Sequence, residues 1–277
     1  MIKQRPVLRW HGGKWILAPW IISHFPEHRV YTEVFGGAAS VLMRKPRAYS
    51  EVYNDLDGEV VNLFRVLRDE VLAGQLVSAL RLTAFARDEF NLAYEPSVDP
   101  LERARRLVAV SFMGFGSNAH NTSSRTGFRA NSNRSGTTPA HDWANYPESL
   151  GITIQRLRGV VIENRPAVDI LSQHDGLETL HYVDPPYVHS TRDSAVNQKD
   201  YRFELTDADH RELASRLHGL KGMVVLSGYP CELYDRILYP TWHRVERESL
   251  ADGARKRVEV LWLNPAAHDK LTLGDLI

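Results

Sequence analysis

Seven short apolar runs, several ending in an acidic residue, constrain this chain more than any other feature of its sequence. They are Val30–Phe35, Tyr49–Tyr53, Val160–Glu163, Leu180–Val183, Met223–Leu226, His243–Glu248 and Val258–Leu263. Helical patterns separate many of them, which predicts an α/β architecture with seven strands in one open sheet. Helices are expected at Lys14–Ser23, Asp57–Arg68, Pro100–Val110, Asp207–Leu217 and Glu232–Ile237. At 277 residues, 43% of them hydrophobic, the chain can bury a sizeable core in one or two structural units. No stretch approaches the ~18 uninterrupted apolar residues of a membrane span. The single cysteine, Cys231, cannot form an intrachain disulfide, and no signal-peptide core opens the chain. A cytoplasmic protein is therefore expected. No multi-cysteine zinc site can form, no His pair has ligand spacing, and no metal is expected.

A long insertion, about residues 69–156, separates the second and third strands, leaving 1–68 and 157–277 as the other part of the chain. Its first half reads as helical. Its second half, Gly114 to Thr138, is rich in Gly, Ser, Asn and Arg. The chain as a whole is neutral, with 34 Lys and Arg against 34 Asp and Glu. Yet Arg103, Arg105, Arg106, Arg125, Arg129 and Arg134 fall in a stretch to His141 that holds no acid. Arg beside Asn, Ser and Gly suits contact with a polyanion, through phosphates and base edges.

Four motifs carry chemistry. Tyr182-Val183-Asp184-Pro185-Pro186-Tyr187 puts Asp184 at the carboxyl end of a strand, the edge of an open α/β sheet where ligands bind. The prolines remove two N–H donors and fix the backbone, so their carbonyls can accept from a ligand. Tyr187 adds a flat π-face, and the set suits a planar substrate bearing an amino group. Tyr31-Thr32-Glu33-Val34-Phe35-Gly36-Gly37-Ala38-Ala39-Ser40 reads as strand, small-residue turn, helix. It lacks the dinucleotide fingerprint and the phosphate-cradling lysine, which favours a nucleotide-like ligand without a pyrophosphate. Asp55, about twenty residues beyond the first strand, stands where a ribose hydroxyl pair is commonly held, and Asp57 is placed to cap the next helix. In Arg9-Trp10-His11-Gly12-Gly13-Lys14, a lysine opening a helix opposes the helix dipole and so calls for a carboxylate partner.

Together these motifs resemble the Dam-type (D12 class) DNA adenine-N6 methyltransferases. The matching segments are Trp10 to Lys14, Glu33 to Val41, Asn54-Asp55, Asp184 to Tyr187 and Arg257 to Trp262. The glycine turn reads Phe-Gly-Gly-Ala where that family often has Phe-x-Gly-x-Gly. The resemblance implies a Rossmann-like seven-stranded S-adenosylmethionine-dependent methyltransferase sheet, with residues 69–156 as a helical and loop-rich target-recognition insert. S-adenosylmethionine would be the cofactor and double-stranded DNA the partner, inside a bacterial or phage-infected cell. Restriction–modification is one setting for such an enzyme. Oligomeric state stays open, a dimer included. Trp10 and Lys14 would contact the cofactor, Lys14 near its carboxylate. Phe35 and Gly37 would line its methionine side, Asp55 its ribose and Asp169 its adenine.

Asp184 would be catalytic, close to both ligands, its carboxylate and the Pro185 carbonyl each accepting one N6–H bond from an adenine flipped out of the duplex. Tyr187 would stack on that base, and Tyr187→Phe is expected to keep most activity. Arg125, Arg129 and Arg134, with Asn131 and Asn133, would contact DNA. A cytosine-N4 methyltransferase usually carries Ser at the Asp184 position. A protein-glutamine methyltransferase usually carries Asn there. A catalytically silent nucleic-acid-binding module is the alternative from another class.

Overall fold

The computed structural model describes residues 4–116, 125–131, 136–191, 202–250 and 256–274. Arg134 and Asn133 lie outside them. The seven expected strands form one sheet: β1 (Val30–Glu33), β2 (Ser50–Asn54), β3 (Val160–Glu163), β4 (Thr179–Val183), β5 (Met223–Gly228), β6 (His243–Leu250) and β7 (Lys256–Leu263). Their spatial order is β3-β2-β1-β4-β5-β7-β6. Strands β1 to β5 are parallel to their neighbours among themselves. β7 runs antiparallel to both β5 and β6. The chain winds from β1 outward to β3, then returns to lay β4 on the other side of β1. The sheet therefore has its switch point between β1 and β4, where a crevice opens beyond the carboxyl ends of the strands.

The helices follow as α1 (Ala18–Ile22), α2 (Ser40–Arg44), α3 (Gly58–Arg68), α4 (Glu70–Leu82), α5 (Arg87–Leu92), α6 (Pro100–Met113), α7 (Pro139–Ala144), α8 (Tyr146–Leu157), α9 (Ala167–Gln173), α10 (Asp207–His218) and α11 (Pro265–Gly274). The two-residue period of the strands sends alternate side chains to opposite faces. Leu180 and Tyr182 of β4, with Met223 and Val225 of β5, join one core that also takes in α1 to α6 and α8. Val183, Val224 and Leu226 face a second core with α9 and α10. Residues 69–156 share the first of these cores: α4, α6 and α8 pack on α3 and bury Leu76, Val108 and Leu150 in it.

Two helices differ from expectation. α1 begins only at Ala18, so Lys14 lies in the turn before it and does not open a helix. Pro19, in the first turn, marks the true start, since a proline lacks the N–H that a helix interior needs. Residues Leu233–Leu238 form a π-helical segment, in which the Tyr239 amide donates to the Tyr234 carbonyl. Asp57 caps α3 as predicted, accepting from the Glu59 amide at 2.9 Å.

Candidate active site

A cleft of about 930 Å³, part of it open to solvent, lies at the switch point. Its wall includes Trp10, Lys14, Glu33, Phe35, Gly37, Asp55, Ala167, Asp184, Pro186, Arg202 and Phe203. Five sequence-predicted cofactor residues (Trp10, Lys14, Phe35, Gly37 and Asp55) thus meet there with Asp184.

Glu33, the last residue of β1, is buried, and its Oε2 accepts from the Tyr31 hydroxyl at 2.7 Å and the Leu42 amide at 2.8 Å. Burial nonetheless pushes its carboxyl up to about 8. The turn that follows brings backbone close to a ring. Gly37 has φ +46°, and a Cβ there would lie 2.6 Å from Trp10 Nε1, so only glycine lets the indole pack on this turn. Ala39 adopts the same left-handed region, at φ 53°, without that freedom. The Gly37 amide donates to Asp55 Oδ2 at 2.7 Å, and the Asp57 amide to Asp55 Oδ1 at 2.8 Å. Desolvation outweighs these bonds and raises the Asp55 carboxyl to about 6.

Lys14 is buried, and its carboxylate partners are within the chain. Nζ stands 3.0 Å from Asp184 Oδ2 and 3.6 Å from Glu259 Oε1, and donates to the Gly12 carbonyl at 2.7 Å. Asp184 follows β4 directly. Its Oδ1 accepts from Ser227 Oγ at 2.7 Å, so each carboxylate oxygen has one fixed partner. A carboxylate offers about four lone-pair sites, so this leaves acceptor capacity on a side chain whose orientation is locked.

The Tyr187 ring is buried. Its hydroxyl donates to Glu259, its face lies 4.7 Å from Lys14 Nζ, and its ring meets Tyr229 edge-on with centroids 4.6 Å apart. Neither Tyr187 nor Pro185 belongs to the cleft wall, whereas Pro186 does. Asp169 is not on the wall either. It is exposed and stands 3.8 Å from an Arg165 nitrogen, while Ala167 of the same helix, α9, faces the cleft. On a helix two positions are about 200° apart, so these residues point to nearly opposite sides.

The arginines of the insertion are more occupied than their spacing suggests. Arg103 pairs with Glu59 at 2.9 Å, Arg105 with Glu102 at 2.7 Å and Glu89 at 2.8 Å, and Arg106 with Glu102 at 2.7 Å. Glu102 sits just before the acid-free stretch, at helical i,i+3 and i,i+4 spacing, which is the signal that a linear charge count overlooks. Arg125 is exposed and pairs with Glu95 at 3.2 Å. Arg129 donates to the Phe112 carbonyl at 3.1 Å. Asn131 lies with Phe115, Phe128 and Pro139 around a shallow surface hollow.

Sequence reasoning missed three contributors. Arg202 lines the cleft and reaches Asp57 Oδ1 at 3.1 Å, with Phe203 beside it. In the sequence Glu33 stands only within the strand-and-turn motif and the segment Glu33 to Val41, with no role of its own. Glu259 had no role at all. Among the described residues no group of three or more His, Cys, Asp or Glu is placed to hold a metal, and no helix is long and apolar enough to cross a membrane.

The sequence model of one family, described as D12 class N6 adenine-specific DNA methyltransferase, matches residues 10–248. The chain is also similar to two proteins named DNA adenine methylase from Vibrio cholerae serotype O1, one from the Classical Ogawa strain and one from the El Tor Inaba strain. Each is 37% identical over 71 residues, which span 25% of this chain and 25% of the relative's own length.

Proposed function

Because the chain belongs to the D12 class N6 adenine-specific DNA methyltransferase family, we propose that it transfers a methyl group from S-adenosylmethionine to N6 of an adenine in double-stranded DNA. The observation that carries this reading is Asp184 at the carboxyl end of β4, on the cleft wall, with Ser227 on one oxygen and Lys14 on the other.

The cleft suits that cofactor. The Gly37 turn lets the Trp10 indole pack against it as part of the wall, Phe35 and Phe203 offer apolar faces, and Asp55 keeps acceptor capacity for ribose hydroxyls beside its two amide bonds. Asp184 on the wall favours a ligand that carries positive charge. When bound, the cofactor supplies an electrophilic methyl on a positively charged sulfur.

Adenine N6 is a weak nucleophile because its lone pair is delocalised into the ring. Asp184 accepts one N6–H bond and the Pro185 carbonyl the other, which draws the nitrogen toward tetrahedral geometry and localises the lone pair. The locked carboxylate needs no reorganisation at the moment of transfer, the condition under which fixed polar groups contribute most. The target base lies inside a duplex and must leave the stack to reach the end of a strand, at a cost of a few kcal/mol. Residues 69–156 serve as the recognition insert, with Arg125, Arg129, Arg134, Asn131 and Asn133 as its DNA-facing candidates, beside the catalytic part formed by 1–68 and 157–277.

Nucleosides from DNA incubated with the protein and S-adenosylmethionine, analysed by mass spectrometry, test this reading. N6-methyladenine is expected with the natural chain and none with Asp184→Ala. N4-methylcytosine, or no methylated base, would remove the assignment.

A further inference from the structure

Glu259 is a buried carboxyl that the reaction as described does not use. It is 3% exposed, absent from the cleft wall, and shifted upward by burial. A carboxyl is costly to bury without a purpose or a partner. Its Oε1 serves two groups from different parts of the chain, the Tyr187 hydroxyl and, at 3.6 Å, Lys14 Nζ. The antiparallel direction of β7 puts it there. Val260 pairs with Gly228, so Glu259 near the start of β7 stands beside the carboxyl ends of β4 and β5.

We propose that Glu259 is a positioning residue for methyl transfer, holding the Tyr187 ring and the Lys14 ammonium in register with Asp184 without touching either ligand. This rests on the reading that Asp184 accepts the target amine. Lys14 is shared between two carboxyls, 3.0 Å from one and 3.6 Å from the other. Without the charge on Glu259 the ammonium is drawn to Asp184 alone, where it competes with the substrate amine for the same lone pairs. Without the acceptor at Glu259 the phenol loses its anchor and the ring its fixed plane. The isosteric variant Glu259→Gln removes the charge and keeps an acceptor oxygen, whereas Tyr187→Phe removes the bond from the other side and keeps the ring.

The full chain, tritiated S-adenosylmethionine and unmethylated bacterial genomic DNA give the single-turnover transfer rate. Calorimetry with S-adenosylhomocysteine and thermal melting give cofactor affinity and folding. Glu259→Gln is expected to slow transfer by about tenfold or more, with cofactor affinity and melting close to those of the natural chain, and the double variant with Tyr187→Phe to be no slower than the slower single one, as for groups acting as one unit. Natural-rate transfer by Glu259→Gln, additive losses in the double variant, or a rate loss matched by lost cofactor affinity and melting temperature each overturn the proposal. Should Glu259→Gln not fold, natural-rate transfer by folded Tyr187→Phe overturns it. Asp184→Ala separates the two readings: if it still transfers methyl groups, the assignment of Asp184 fails, and if it is inactive while Glu259→Gln is fast, only the positioning role fails.

Discussion

Asp55 has both oxygens engaged by backbone amides and still holds its proton to about pH 6, because desolvation is the larger effect. Its folded value lies above that of an unfolded aspartate. The apo fold is therefore relatively destabilised at neutral pH by ionising this group, and regains that stability as pH falls through about 6. A ligand whose hydroxyls donate to Asp55 prefers the ionised form. Affinity for S-adenosylhomocysteine is expected to decline as pH falls through about 6 and to level off above it. Asp55→Asn should lose a charge-assisted contact, about 1.5–3 kcal/mol, and flatten that profile. Calorimetry across the window checks both, and an unchanged slope in Asp55→Asn would falsify the ribose assignment. Tyr187 shows the limit of reading residues singly. Its sequence context assigns value to the ring face alone, so Tyr187→Phe looks mild. In the fold the hydroxyl is the donor to a buried carboxyl, and removing it leaves Glu259 short of a partner.

At the scale of elements, Glu51 of β2 joins the sheet to α8. Its carboxylate takes Lys45 at 2.8 Å, and Arg156 at 2.6 and 2.9 Å in a two-pronged pair, with both oxygens buried. Removing one partner of such a cluster strands the others. Glu51→Ala is expected to cost about 3–5 kcal/mol in urea unfolding. A loss below about 1 kcal/mol, the level of a surface pair, would mean that water replaces the carboxylate there. A second tie reaches the cleft. Ser111, in the last turn of α6, accepts from the Arg9 amide at 2.8 Å and donates to the Arg9 carbonyl at 2.9 Å. The helix that leads into the Gly- and Asn-rich stretch thus braces the segment carrying Trp10 and Lys14.

Over the whole molecule, zero net charge means that the proposed attraction to DNA must come from local groups. With Arg103, Arg105 and Arg106 committed to internal pairs, Arg125, Arg129 and Asn131 are the proposed DNA contacts on described residues. Arg125, exposed beside Glu95, is expected to meet phosphate. Arg125→Ala should weaken binding to all sequences alike and lower the slope of log affinity against log salt by about 1. Arg129, whose guanidinium donates to the Phe112 carbonyl, is the candidate for a base edge on the proposed reading. Its loss should cost about 1–3 kcal/mol and relax one position of the site. Fluorescence anisotropy over a salt series checks both, and unchanged affinity and slope in both variants would move the contact surface elsewhere.

Local chemistry determined the strand positions and the residues that follow them: alternating apolar runs specify strands, and Phe35-Gly36-Gly37 and Asp184-Pro185-Pro186-Tyr187 are contiguous, so their character survives in a linear reading. The cleft residues Trp10, Lys14, Phe35, Gly37, Asp55 and Asp184 were legible for that reason. Direction and pairing were not. Whether β7 runs parallel or antiparallel decides which of its ends reaches the active edge, and nothing within Val258–Leu263 encodes that choice. It depends on how the strand pairs with β5 and β6. Only the tertiary structure could therefore bring Glu259 to Tyr187, join Lys14 to Asp184 across the chain, turn Asp169 away from the cleft, and place Arg202 on its wall. Three of these are contacts between residues far apart in sequence, settled by the packing of the sheet as a whole, and the direction of Asp169 follows from how α9 lays Ala167 against the cleft.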